Sequence, residues 1–121
     1  LIAREPGSEV RYVLDHYLRD RRLAPRIAME VASSEAIKSS VMADMGIALL
    51  SLHAVATELR HGLLQRIDFE GTPIMRTWNI VHEASKVLSP AAEAFRYYLL
   101  EQAETWLQLR DGVLIGVSVA N

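Results

Sequence analysis

The 121-residue chain contains no cysteine, which excludes disulfides, thiolate metal sites and cysteine nucleophiles and is compatible with a reducing cytosol. It has no excess of positive charge either, since 13 Lys and Arg stand against 15 Asp and Glu for a net charge of -2. Without a broad cationic field to hold a polyanion, nucleic-acid binding by this chain alone is not expected. No apolar run approaches the roughly 20 residues that span a bilayer, and no basic segment followed by an apolar one opens the sequence. The chain therefore reads as soluble, with no membrane partner. Repeats and low-complexity tracts are also absent.

The usual catalytic signatures are missing too. There is no G-x-S-x-G elbow, no P-loop, and no G-x-G-x-x-G after a strand, so acyl transfer, nucleotide hydrolysis and dinucleotide chemistry lack their geometry. His16, His53, His61 and His82 are scattered, and neither H-x-x-x-H nor H-E-x-x-H spacing occurs. No enzymatic activity, cofactor or metal is expected.

What is present is a globular composition, half hydrophobic, sufficient for one domain or one lobe of a larger one. Leu1 to Arg4 reads as a strand that runs into the turn Pro6-Gly7-Ser8. Val10, Val13, Leu14, Tyr17 and Leu18 then recur at helical spacing, with Ser8 as the cap. The charged stretch "RDRRLAP" ends that helix, and Ile27, Met29 and Val31 alternate with polar or small neighbours as a strand. Ser33 or Ser34 caps a second helix with Ile37, Val41 and Met45 inward, and Gly46 is placed to end it in a left-handed conformation. "GIALLS" reads as a buried strand, His53 to Arg60 as a helix closed by His61-Gly62, and "LLQRIDF" as a strand before the turn "EGTP". This alternation predicts an α/β fold with a mainly parallel sheet and helices on both faces.

Farther on, "IMRTWNIVH" reads as an extended segment in which Trp78 packs, and Ser89-Pro90 starts another helix. One side of that helix carries Phe95, Tyr98, Leu99 and Trp106 and wants a partner surface. The tail "GVLIGVSVAN" is β-prone, either a last strand or an unpaired end.

Two junctions share one design: a strand end, a serine, then a helix whose first N–H groups lack partners and whose dipole favours anions. They are Gly7-Ser8 and Ser33-Ser34, and Arg4 and Arg11 flank the first with guanidinium forks suited to a carboxylate or phosphate. The alternative is that the serines only cap and the arginines are only solvated. His53 stands at the end of a third strand, near the same presumed crevice. Arg19, Arg21, Arg22 and Arg26 form a basic cluster interrupted by Asp15 and Asp20, which reads as a solvated helix end.

The turn "REPGS", the strand "RIAMEV", the helix start "SEAIK" and the strand "GIALLS" together resemble the effector-binding domain of LysR-type transcriptional regulators. The resemblance continues through "TPIMRTWNIVH" and the last helix, over roughly residues 1–104. The wording "REPGS", "LAPRIAMEV" and "SEAIKSSVMA" looks most like the CbbR type, regulators of the RuBisCO operon and carbon fixation. What the resemblance implies is a lobe of type 2 periplasmic-binding-protein-like fold, in a cytoplasmic homo-oligomer that binds DNA only through a winged helix-turn-helix outside this chain. It further implies a small anionic metabolite, a phosphorylated compound or NADPH, held in the cleft between two lobes. On this reading residues 1–82 form the second lobe, 83–108 return toward the first, and 109–121 are a tail. Leu1 to Arg4 is then the strand crossing between lobes, and the effector-binding candidates are Arg4, Ser8, Arg11, Ser33, Ser34 and His53. The sequence departs from the family at Glu9-Val10, where Gly-Thr is frequent, and at Asp44, where glycine is usual. A lobe of an extracytoplasmic solute-binding protein is the alternative with the same architecture.

Overall fold

A computed structural model describes residues 1–77, 79–107 and 114–120. Strand Ile2–Arg4 (β1) leads to helix Glu9–Asp20 (α1), strand Met29–Val31 (β2), helix Ser34–Met42 (α2) and strand Ala48–Ser51 (β3). Helix Leu52–Arg60 (α3), strand Leu64–Ile67 (β4), helix Pro90–Leu107 (α4) and strand Leu114–Val119 (β5) follow. The strands form one sheet in the order β2-β1-β3-β5-β4. β1 is parallel to both β2 and β3, and β5 lies antiparallel between β3 and β4, so β5 alone runs against the other four. The expected mainly parallel α/β sheet is thus present.

The period of two along the strands divides the core into two layers. Ile2, Ala48, Leu50, Leu64 and Val117 point to the face covered by α2 and α3, where Ile37, Val41 and Val55 meet them. Ala3 and Leu49 point the other way and pack under α1 through Leu14, with Val10, Val13 and Leu18 around them. Each fully buried aliphatic side chain of this kind contributes about 1.5–3 kcal/mol. Helices therefore cover both faces. The physical reason is handedness: the β1-α1-β2 and β2-α2-β3 crossovers travel in opposite directions along the sheet, so right-handed connections put their helices on opposite sides.

Several local expectations need correction. The second helix ends before Gly46: Asp44 takes the left-handed conformation (φ 58°), with Asp44 N–H donating to the Val41 carbonyl and Met45 N–H to the Ser40 carbonyl. Met45, expected inward, is 54% exposed because it lies past that cap. Among the described residues of "IMRTWNIVH", Ile74 packs against the α1 layer, while Ile80 and Val81 are exposed. Trp78 lies outside the described residues, as does the side chain of Trp106. Within the tail, Leu114–Val119 form β5, pairing Ala48 with Val117 and Leu64 with Val119. On α4, which Ser89 caps through the Ala92 N–H, Phe95 and Tyr98 remain exposed. No helix among the described residues is long and apolar enough to cross a membrane.

Candidate functional site

The three adjacent parallel strands β2, β1 and β3 end along one edge of the sheet, and each leads directly into a helix. Because α1 leaves β1 toward one face and α3 leaves β3 toward the other, a crevice opens between these strand ends, the place where open α/β sheets bind ligands. The turn after β1, the Ser33-Ser34 junction after β2 and the Ser51-Leu52 junction after β3 line up along it.

Ser8 caps α1, its hydroxyl accepting from the Arg11 N–H at 3.1 Å, and Ser33 caps α2 by accepting from the Ala36 N–H at 3.4 Å. Ser34 is the first residue of α2, and its hydroxyl accepts from the Arg4 guanidinium at 3.1 Å. Arg4 thus joins the exit of β1 to the first turn of α2. The remainder of its fork is filled by Glu5, with Nε to Oε2 at 2.7 Å and Nη2 to Oε1 at 2.9 Å. This bidentate pairing holds the Glu5 carboxyl below its ordinary range and raises Arg4, and hydrogen bonding is the larger cause in both.

Arg11 is more heavily committed. It reaches back to the Arg4 carbonyl at 3.0 Å and pairs with Asp15 at 2.9 Å and with Glu30 on β2. The Glu30 hydrogen bond, then that of Asp15, raises the guanidinium further. Glu9, which puts a carboxylate beside the turn, is paired with Arg76. Over the start of α1 a cavity of about 560 Å³ is lined by Pro6, Gly7, Ser8, Glu9, Arg11, Tyr12 and Asp15. Gly7 adopts φ 92°, which L side chains rarely take.

The structure thus brings Arg4 and Ser34 into contact, and Arg11 onto Ser8 and the Arg4 backbone. His53 is exposed in the first turn of α3, on the other side of the crevice, and its side chain has no hydrogen-bond partner among the described residues. No group of three metal-ligating side chains occurs among the described residues. His61 bonds the Thr57 carbonyl on its own helix, and Glu58 is engaged by Lys38.

Sequence reasoning missed the acidic partners. Asp15 was legible as the i, i+4 neighbour of Arg11 on a helix. Glu5 adjoins Arg4 in the chain, whereas Glu30 was not legible because its approach to Arg11 depends on how β1 and β2 pair.

The edge is polar, and the two arginines on it are occupied by the internal carboxylates Glu5, Asp15 and Glu30. The chain is similar to three named transcriptional regulators. It is 46% identical over 114 residues to the HTH-type transcriptional regulator CfxR of Cupriavidus necator, covering 94% of this chain and 36% of that protein. It is 41% identical to the HTH-type transcriptional regulator CbbR of Rhodospirillum rubrum (86% of this chain, 35% of that one). It is 39% identical to the HTH-type transcriptional activator CmpR of a Synechocystis species (86% and 34%). The chain spans about a third of the length of these relatives. No solved structure matches it. Residues 1–104 match the LysR substrate binding domain, and the chain belongs to that family, with its type 2 periplasmic-binding-protein-like fold.

Proposed function

We propose that this lobe is the effector sensor of a RuBisCO-operon type regulator, binding a small anionic metabolite at the strand edge and thereby modulating DNA binding by the full-length protein. The observation that carries the reading is the Arg4–Ser34 contact at 3.1 Å, which ties the ends of two neighbouring strands together where helix N-termini converge. Ser8, Arg11, Ser33 and His53 complete the ligand shell. A phosphate or carboxylate displaces Glu5 from the fork of Arg4 and takes the free N–H groups at the start of α2.

In this reading residues 1–82 are the second lobe of a two-lobed sensor, 83–108 return toward the first, and 109–121 are the tail. The whole protein is a cytoplasmic homo-oligomer with its DNA-binding segment in the part of the relatives' length that this chain does not span. A ligand that touches both lobes favours one interlobe angle, and the free energy available to switch DNA contacts is the difference in its affinity for the two angles.

The test is a DNA footprint of the full-length protein with and without NADPH and phosphorylated sugars, in wild type and in Arg4→Gln. A ligand-dependent footprint that Arg4→Gln makes unresponsive is expected. An identical footprint with every metabolite contradicts the proposal.

A further inference from the structure

At the opposite edge of the sheet, where β1 and β3 begin, lies a second cavity of about 620 Å³. That is within the roughly 300–1,000 Å³ range of sites for small organic ligands. Its walls are apolar: Leu14 and Leu18 from α1, Leu23 after it, Leu49 from β3 and Phe69 from the loop after β4. Leu23 (52%) and Phe69 (39%) are exposed enough to be reached from solvent.

The rim has the contrary character. Arg26 lines the cavity and has no ion-pair partner among the described residues. Arg21 stacks its guanidinium 4.0 Å over the ring of Tyr17, another wall residue, whose hydroxyl donates to the Glu70 carbonyl at 2.7 Å. Arg21 also lies against Gly71, where an added Cβ would collide with it, so it sits between α1 and the loop that closes the cavity. It too lacks a carboxylate, and Asp20 is directed to His16 at 3.5 Å instead. Arg4, Arg11, Arg66, Arg76 and Arg96 each hold an acid, whereas among the described residues Arg19, Arg22 and Arg60 share with Arg21 and Arg26 the lack of one; what sets Arg21 and Arg26 apart is their place beside the apolar walls. The helix dipole accounts for a cation in the last turn of α1, but Arg26 is past the helix and beyond that effect.

We propose that this cavity is a second small-molecule site, for an amphipathic carboxylate whose alkyl or aromatic part fills the apolar walls and whose charge meets Arg21 and Arg26. The apolar walls suit a hydrocarbon part, while the exposed Arg26 at the rim and Arg21 on the adjoining Tyr17 ring offer a carboxylate charge-assisted hydrogen bonds that a neutral ligand would leave to water. The site is independent of the strand-edge proposal but shares α1 with it. α1, capped by Ser8, ends at this cavity.

The test uses octanoate and 1-octanol as probes, titrated calorimetrically into the whole chain, with its self-association followed by sedimentation. Octanoate binds more than about tenfold tighter than 1-octanol, the expected gain from hydrogen bonds to charged groups. The exposed pair Arg21→Gln and Arg26→Gln abolishes that preference while 1-octanol binding persists. Leu23→Glu, at a half-exposed wall position, abolishes binding of both probes. Equal affinity for the two probes, or a preference that survives the double arginine substitution, overturns the proposal. So does sedimentation showing that the wild type dimerises and that Leu23→Glu dissociates it, because the face is then occupied by a second copy.

Discussion

Lys38 on α2 donates to Glu58 Oε1 on α3 at 2.8 Å, and the two side chains are only 8% and 14% exposed. The same ammonium reaches Glu35 at 2.9 Å, while Glu58 Oε2 has no hydrogen-bond partner among the described residues. A shielded pair of this kind is hard to break one partner at a time, because the survivor is left charged and poorly solvated.

Lys38→Met is therefore expected to cost about 3 kcal/mol, since it strands Glu58. Adding Glu58→Leu to it recovers most of the loss. Urea denaturation of the two single variants and the double variant gives the coupling directly, and additive losses would contradict the pairing.

The pair also sets a pH window. Hydrogen bonding to Lys38 holds the Glu58 carboxyl below its ordinary value of 4.5, so its stabilisation is complete above that pH and is lost as pH falls through the depressed value. Glu58 first, then Glu35, raises Lys38 above 10.5, so its stabilisation is complete below that pH and fades as pH rises through the raised value. Denaturation midpoints measured against pH are expected to form a plateau between these limits. Glu58→Gln flattens the acid side of the curve.

Asp44 occupies a left-handed position (φ 58°) that glycine adopts without strain. Asp44→Gly is expected to stabilise the protein by about 0.5 kcal/mol. Gly62 occupies the same cap position after α3 (φ 67°), so Gly62→Ala is expected to destabilise by about 1 kcal/mol although nothing lies within 4 Å of the added Cβ. Thermal melts of both variants check the sign, and a destabilised Asp44→Gly would mean that the aspartate side chain contributes more than the backbone strain costs.

The sequence made most of this architecture legible, for reasons that differ from element to element. The caps at Ser8 and Ser33 were readable because a hydroxyl before an amphipathic run has a local physical meaning. Two-sided helix coverage followed from alternation and handedness. The direction of β5 and its place between β3 and β4 were not readable, because strand order is set by pairing between segments far apart in the chain. The end of α2 was misjudged since Gly46 is the conventional signal, whereas Asp44 takes the cap and Gly46 serves the next bend at φ 151°. In the site the arginines were visible, and Asp15 was legible one turn from Arg11, but Glu30 was not, because it meets Arg11 only after β1 and β2 have paired.

Glu5 fills the fork of Arg4 in the way an incoming anion would. Glu5→Gln removes that internal competitor and is expected to tighten NADPH or sugar-phosphate binding by about tenfold, whereas Arg4→Gln weakens it by at least as much. Isothermal titration of the two variants distinguishes competition from a merely structural pair, for which both substitutions would weaken binding.

The most direct test of the strand-edge site is an NMR titration of this chain with NADPH and with a sugar bisphosphate, following backbone amides and arginine Nε–H signals. The account predicts saturable shifts concentrated on Arg4 to Arg11, Ser33 to Ala36 and Ser51 to His53, with the Arg4 Nε–H moving as Glu5 is displaced. Shifts confined to other surfaces, or an unmoved Arg4 signal at saturation, would contradict it.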